Sequence, residues 1–137
     1  TIFPESKQLL LDKTRNIRRK MAENPNATQF ESEYKQMMQQ ALKENDNWVL
    51  LGIARNPNVI QFDEFEQLID NEDYLIRSEI ASYEGIVKFP KFKQLLDDKD
   101  IRVIRHACEN KAIIQNPEYK QKCQNKINEY NKKMWNI

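Results

Sequence analysis

From Asp46 to Lys111 the apolar and polar positions recur in a fixed register. Asp46-Asn47-Trp48-Val49 returns as Asp73-Tyr74-Leu75-Ile76 and again as Asp100-Ile101-Arg102-Val103, 27 residues apart each time. Ile53-Ala54 maps onto Ile80-Ala81 and Ala107-Cys108, while Phe62, Phe65, Gln67, Leu68 and Asp70 map onto Phe89, Phe92, Gln94, Leu95 and Asp97. A period of this size is how stacked repeats show themselves in a sequence. Each unit is predicted to hold a helix of about ten residues, a turn and a second short helix. Asp46, Asp73 and Asp100 fall where an N-cap belongs, because a carboxylate there accepts free amide protons and complements the helix dipole. Asn56-Pro57-Asn58 ends the first of these helices. Tyr83-Glu84-Gly85 ends the second, with Gly85 read as a C-terminal glycine. Asp63 and Pro90 open the partner helices. Phe62, Phe65, Leu68 and Ile69, like Phe89, Phe92, Leu95 and Leu96, follow a three-four spacing that fits helix and not strand.

The flanks read as modified copies of the same theme. Pro4 to Glu23 is predicted to be one helix, with Leu10, Ile17 and Met21 on one side and Leu9 and Leu11 widening the stripe. Asn24-Pro25-Asn26 stops it. Ile17 to Pro25 also matches Val49 to Pro57, at an offset of 32 residues. Thr28 is predicted to open a longer helix through a capping box with Glu31. Phe30, Tyr34, Met37, Met38, Ala41 and Leu42 form its apolar side, and it ends near Glu44 or Asn45. The last element, Pro117 to Trp135, carries Tyr119, Cys123, Ile127, Tyr130 and Met134 on one face. The pattern therefore predicts an all-α chain: a right-handed α-solenoid of short antiparallel helix pairs, roughly eight helices in one domain over residues 1–137. Residues 1–45 form an N-terminal cap and degenerate repeat, 46–112 the regular repeats, and 113–137 a capping helix.

Composition narrows the function classes. The 22 basic and 21 acidic residues nearly cancel, which argues against a surface devoted to nucleic acid but not against a local basic patch. Two glycines in the chain leave little for phosphate loops or tight hairpins. Cys108 and Cys123 belong to no metal-ligand cluster, and two buried thiols are the favoured reading over a disulfide. No apolar run reaches membrane-spanning length and no signal peptide opens the chain, so a cytoplasmic location with no membrane partner is the expectation.

The run Asp70, Asp73, Ile76, Arg77, Ile80, Ala81 follows D-x-x-D-x-x-[IV]-R-x-x-I-A. It resembles HEAT-like repeats and the bacterial variant leucine-rich repeats, which share an aspartate turn, a Val-Arg helix and an Ala-rich step often ending in Asn-Pro. The resemblance covers Asp46 to Lys111 well and Ile17 to Asn45 weakly. It implies an interaction scaffold whose second helix in each pair lines the concave face. Its arginine recurs only at Arg77, with Leu50 and Ile104 at the equivalent positions. The four-cysteine motif of one variant-repeat protein is missing, which removes the case for iron–sulfur. The aromatic and acidic constellation of HEAT-like DNA glycosylases cannot be placed.

Comparing columns within the chain separates core from surface. Val49/Ile76/Val103, Ile53/Ile80/Ala107 and Ala54/Ala81/Cys108 keep small or apolar residues. Trp48/Leu75/Arg102, Leu51/Ser78/Arg105, Gly52/Glu79/His106 and Arg55/Ser82/Glu109 vary freely and share one helix side. This strip is the candidate site for a protein partner, since exposed Trp and Arg are enriched among binding hot spots. The alternative is that Trp48 packs on the preceding helix and the rest is ordinary surface.

A second candidate is the basic cluster Arg15, Arg18, Arg19 and Lys20, with Lys13 nearby, as phosphate contacts for a nucleic-acid-binding or DNA-repair-related protein. A solvated helix face is the competing reading. His106, the single histidine, has no nucleophile motif beside it, and the paired carboxylates recur at turn positions. No catalytic residue, metal site or cofactor is predicted, and the leading expectation is a non-enzymatic interaction module.

Overall fold

The computed structural model describes residues 3–136, and every regular element among them is helical. The described residues form seven α-helices and six 3-10 segments, and no described helix is long and apolar enough to cross a membrane. The chain divides into two compact units, Thr1–Leu68 and Ile69–Ile137.

The first unit begins with a 3-10 segment, Pro4–Leu11, followed by α1 (Arg15–Glu23), a 3-10 segment Pro25–Gln29, α2 (Glu31–Glu44) and α3 (Asn47–Ala54). The single helix expected over Pro4 to Glu23 is thus broken. The Asp12 carboxylate accepts the Thr14 amide at 2.8 Å, a local side-chain bond that competes with helix continuation. The expected capping box is also absent, because the Thr28 hydroxyl donates to the Pro25 carbonyl at 3.0 Å and α2 starts only at Glu31. At its other end α2 stops at Asn45, in the left-handed region with φ 51°. Asn45 N–H reaches Leu42 O at 3.4 Å and Asp46 N–H reaches Ala41 O at 3.0 Å, the two bonds of a Schellman motif. Asp46 then caps α3 through the Val49 amide. Two residues therefore close one helix and open the next.

After α3 come the 3-10 segments Pro57–Gln61 and Asp63–Asp70. The second unit repeats this order with α4 (Tyr74–Ala81), 3-10 segments Glu84–Lys88 and Pro90–Asp97, and α5 (Ile101–Glu109). It ends with α6 (Lys111–Ile114) and α7 (Pro117–Trp135). The partner helices expected from Asp63 and Pro90 begin there but are 3-10. Val59, Phe62, Phe65 and Leu68 recur at every third residue, as do Ile86, Phe89, Phe92 and Leu95, and all eight are buried. That is the 3-10 period, in which i and i+3 eclipse. The bonds Phe62 N–H to Val59 O and Phe65 N–H to Phe62 O, and their counterparts at Phe89 and Phe92, carry it through. Gly85 lies inside a 3-10 segment and no glycine has positive φ, so it is not a helix C-cap.

The apolar columns are the core. Val49, Ile76, Val103, Ile53, Ile80, Ala107, Ala54 and Ala81 are all buried. Cys108 departs from its column, because it forms a disulfide with Cys123 across 15 residues, with Cα atoms 5.6 Å apart. The reading of two free thiols is corrected. The turn at α6 brings α7 back against α5, and the bond holds the two helices together.

Polar residues repeated between the units clamp neighbouring helices. Buried Asn56 donates to the carbonyls of Ala22 and Asn24 at 2.9 and 3.0 Å, and buried Asn110 donates to those of Ala81 and Tyr83 at 3.0 and 2.8 Å. Each also accepts the amide two residues on, so one side chain caps its own segment and ties it to the preceding helix. Arg77 makes a second clamp, donating to Asn71 O at 2.7 Å and pairing bidentately with Asp98 at 2.7 and 3.0 Å. Arg18 does the same in the first unit, donating to Asp12 O at 2.6 Å and lying 3.6 Å from the Asp46 carboxylate. Both arginines reach a carbonyl six residues upstream.

Candidate functional site

Where α1 meets α3, the helices approach closely because position 52 is glycine. A Cβ there would lie 3.0 Å from both the Arg19 carbonyl oxygen and its Cγ, and 3.3 Å from Glu23 Cγ. Beside this contact lies an open cleft of about 570 Å³, lined by Asn16, Arg19, Lys20 and Glu23 of α1 and by Trp48 and Arg55 on and just after α3. Trp48 is 45% exposed, yet its ring is held in place. Its Nε1–H donates to Asn16 Oδ1 at 3.0 Å, and the Arg19 guanidinium sits 3.7 Å from the ring centroid. Arg19 Nε in turn donates to Glu23 Oε1 at 3.1 Å, and Arg55 lies 3.9 Å from the same oxygen. Lys20 is exposed and makes no ion pair with the described residues.

The variable columns thus come together in part. Trp48 and Arg55 share the cleft, while Leu51 is only 9% exposed and turned inward. At the 32-residue offset, Asn16, Arg19, Lys20 and Glu23 of α1 stand opposite columns 48, 51, 52 and 55. Asn16 and Glu23 were not singled out in the sequence, although that register points to them.

In the second unit Leu75 and Ser82 are exposed, and the Ser82 hydroxyl donates to Glu79 O at 2.7 Å. Glu79 is half-buried, and Ser78 is buried with no partner for its hydroxyl among the described residues. His106 and Glu109 are exposed on α5. Arg102 and Arg105 line a second open cleft of about 550 Å³ with Lys99, Asp100, Ile101 and Tyr130. Arg102 lies 3.6 Å from the Tyr74 ring centroid and pairs with Asp100 at 2.8 Å, and Arg105 lies 5.4 Å from that of Tyr130. The Asp100 carboxylate is held below its ordinary value first by the Arg102 hydrogen bond, against an opposing burial effect. Arg102 is raised by the same bond.

The basic cluster on α1 is not an open field of charge. Arg15 pairs with Asp46 at 2.8 Å, Arg18 is spent in its clamp, and Arg19 is shared between Glu23 and Trp48. Only Lys20 of the four lacks a carboxylate among the described residues. The paired acids are structural: Asp70 pairs with Lys91, Asp97 with Lys122 and Lys126, and Asp98 with Arg77. Among the described residues no cluster of three or more His, Cys, Asp or Glu is placed to hold a metal ion. Comparison with protein-family models, curated proteins and solved structures gives no significant match to the chain.

Proposed function

We propose that the chain is a non-enzymatic interaction module, a short α-solenoid of the HEAT-like or variant leucine-rich repeat kind, that holds a protein partner at the α1–α3 cleft. The observation that carries this reading is the half-exposed Trp48, fixed by Asn16 and Arg19 among charged residues from columns that differ between repeats. Residues common to the repeats are spent on packing, caps and clamps, so the variable positions are where selection for a partner could act. A rigid aromatic beside arginines is the residue set most often found at the centre of binding energy. The solenoid reading is supported by the recurrence of one helix order and two side-chain clamps in both units.

The nucleic-acid reading is the weaker one. Three of the four proposed phosphate contacts already carry carboxylate partners, and such contacts are what give nucleic-acid affinity. The disulfide also favours an oxidising compartment over the reducing cytoplasm. The test uses purified protein as bait in extracts of its native cells, with Trp48→Ala and, separately, Arg55→Glu. A partner retained by the wild type and lost by both variants supports the reading. Equal recovery by variants with unchanged circular dichroism sinks it.

A further inference from the structure

We infer that the Cys108–Cys123 disulfide is a redox latch on the C-terminal helix: a dithiol reductant reaches it through an open groove, and once it is cut α7 leaves α5 while the helices before it stay folded. What carries this is how little else holds α7. Of its 19 residues only Cys123 has a buried side chain, and that side chain is half of the disulfide. Tyr119, Lys122, Lys126, Ile127 and Tyr130 are half-buried, and the rest are exposed. Lys122 and Lys126 pair with Asp97 at 2.6 and 3.1 Å, from side chains a third or more exposed, and such pairs add little. Tyr119 meets Phe92 edge-on at 5.5 Å, and the Arg105 guanidinium lies 5.4 Å from the Tyr130 ring centroid. Asn125, Asn128 and Asn131 lower the helix propensity of the segment, so its helix depends on packing. The ties that join α5 to the elements before it do not involve α7. Asn110 donates to Ala81 O and Tyr83 O, and Arg77 grips Asp98 just ahead of α5. A segment with so few buried contacts opens on its own, below the free energy of global unfolding.

The bond is also within reach of solvent. A groove of about 260 Å³ runs beside α7, lined by both cysteines with Ile114, Lys120, Gln124 and Ile127 among its walls. Cys108 is half-buried, whereas Cys123 is only 4% exposed. A thiolate of the reductant attacks Cys108 Sγ, the S–S bond breaks, and Cys123 leaves as a thiolate that takes up a proton. The second thiol of the reductant then attacks its own sulfur in the mixed disulfide, closing the reductant's disulfide and releasing Cys108 to be protonated. The protein gains two electrons and two protons, and the dithiol loses them. Lys120 precedes Cys123 by three residues, on the same helix side, and lines the same groove. A cation there favours the departing thiolate. Release of α7 takes Tyr119 off Phe92 and so uncovers an apolar side of the second unit in the reduced protein.

Hydrogen–deuterium exchange of the intact protein, read by mass spectrometry, tests the latch. It is run on the oxidised protein, after dithiothreitol without denaturant, after reoxidation, and on Cys108→Ser/Cys123→Ser. The expected result is that the folded protein takes up two hydrogens in mass and exchange across Pro117–Trp135 speeds up roughly tenfold or more, as for local opening. Peptides from α1 to α4 keep their rates, and reoxidation restores α7. The double variant should match the reduced protein and ignore the reductant. Reduction that leaves α7 exchange unmoved makes the bond a passive staple and overturns the inference. A bond cut only once denaturant unfolds the chain, exchange that rises everywhere together, or purified protein whose two thiols stay free under oxidised dithiothreitol overturns it equally.

Discussion

Replacing Asn56 by alanine removes three hydrogen bonds at once, and burial decides what that costs. The side chain is fully buried. Its amide donates to Ala22 O and Asn24 O, and its oxygen accepts the Asn58 amide at 3.1 Å. Ala22 O keeps a partner in the variant, because the Tyr34 hydroxyl also donates to it at 2.7 Å. The Asn24 carbonyl loses the Asn56 donor. One buried and one part-buried bond at about 1 kcal/mol each and a lost cap at about 1 kcal/mol give a destabilisation of about 3 kcal/mol. Asn58 is the control: it donates to Pro25 O at 2.8 Å from an exposed position. Water replaces that bond, so Asn58→Ala should cost under about 0.5 kcal/mol, as surface substitutions do. Chemical denaturation of both variants, followed by helical circular dichroism, measures the difference. Equal costs for the two, or less than about 1 kcal/mol for Asn56→Ala, would refute the claim that this asparagine clamps α1 to α3.

Three further outcomes follow from the same structure. Cys108→Ser/Cys123→Ser opens a loop of 15 residues and should cost about 3 kcal/mol by the loop-closure relation; reductant should lower the wild-type unfolding midpoint and leave the variant's unmoved. Gly52→Val drives atoms against the Arg19 carbonyl and should cost about 3 kcal/mol, the upper end for overpacking. Gly52→Ala should be milder, since about 1 kcal/mol of helix propensity opposes the clash, and thermal melts rank the two. The Asp97 carboxyl is lowered first by the Lys122 hydrogen bond and further by Lys126, with burial opposing. Its contribution is therefore present above the ordinary value of 3.8 and is lost as pH falls below it through the folded-state value. Because the side chain is half exposed, the effect should stay under about 1 kcal/mol. The stability gap between wild type and Asp97→Asn should be constant near neutral pH and close in acid.

Much of this architecture was legible in the chain because each repeat solves the same packing problem. The apolar columns, Cys108 apart, and the aspartate caps stand as read, and α7 has the bounds that its amphipathic pattern sets. The 3-10 segments were less so. Val59, Phe62, Phe65 and Leu68 keep a strict period of three, but Ile69 follows immediately and makes the row look α-helical. The break at Asp12 depends on a single side-chain bond to the Thr14 amide, which apolar periodicity does not report. The clamping role of Arg18 was available from the 32-residue offset, which sets it in the same column as Arg77. Read as part of a basic run, it looked like a phosphate contact. The disulfide had no signature, since its geometry arises only when the α6 turn returns α7 to α5. In the strip, column variation singled out Trp48 and Arg55, which line one cleft, whereas the inward positions of Leu51 and Ser78 depend on how each helix is rotated against its neighbour.

The central claim is that a partner sits at the α1–α3 cleft, and site-specific photo-crosslinking tests it most directly. A benzophenone side chain replaces Lys20 in the cleft in one protein, and the exposed Gln40 of α2 in a second. Both are irradiated in native extract and the adducts are weighed by mass spectrometry. A discrete protein adduct at position 20, absent at position 40 and abolished by Trp48→Ala, is the predicted result. Adducts of equal yield at both positions, or at position 40 alone, would contradict it.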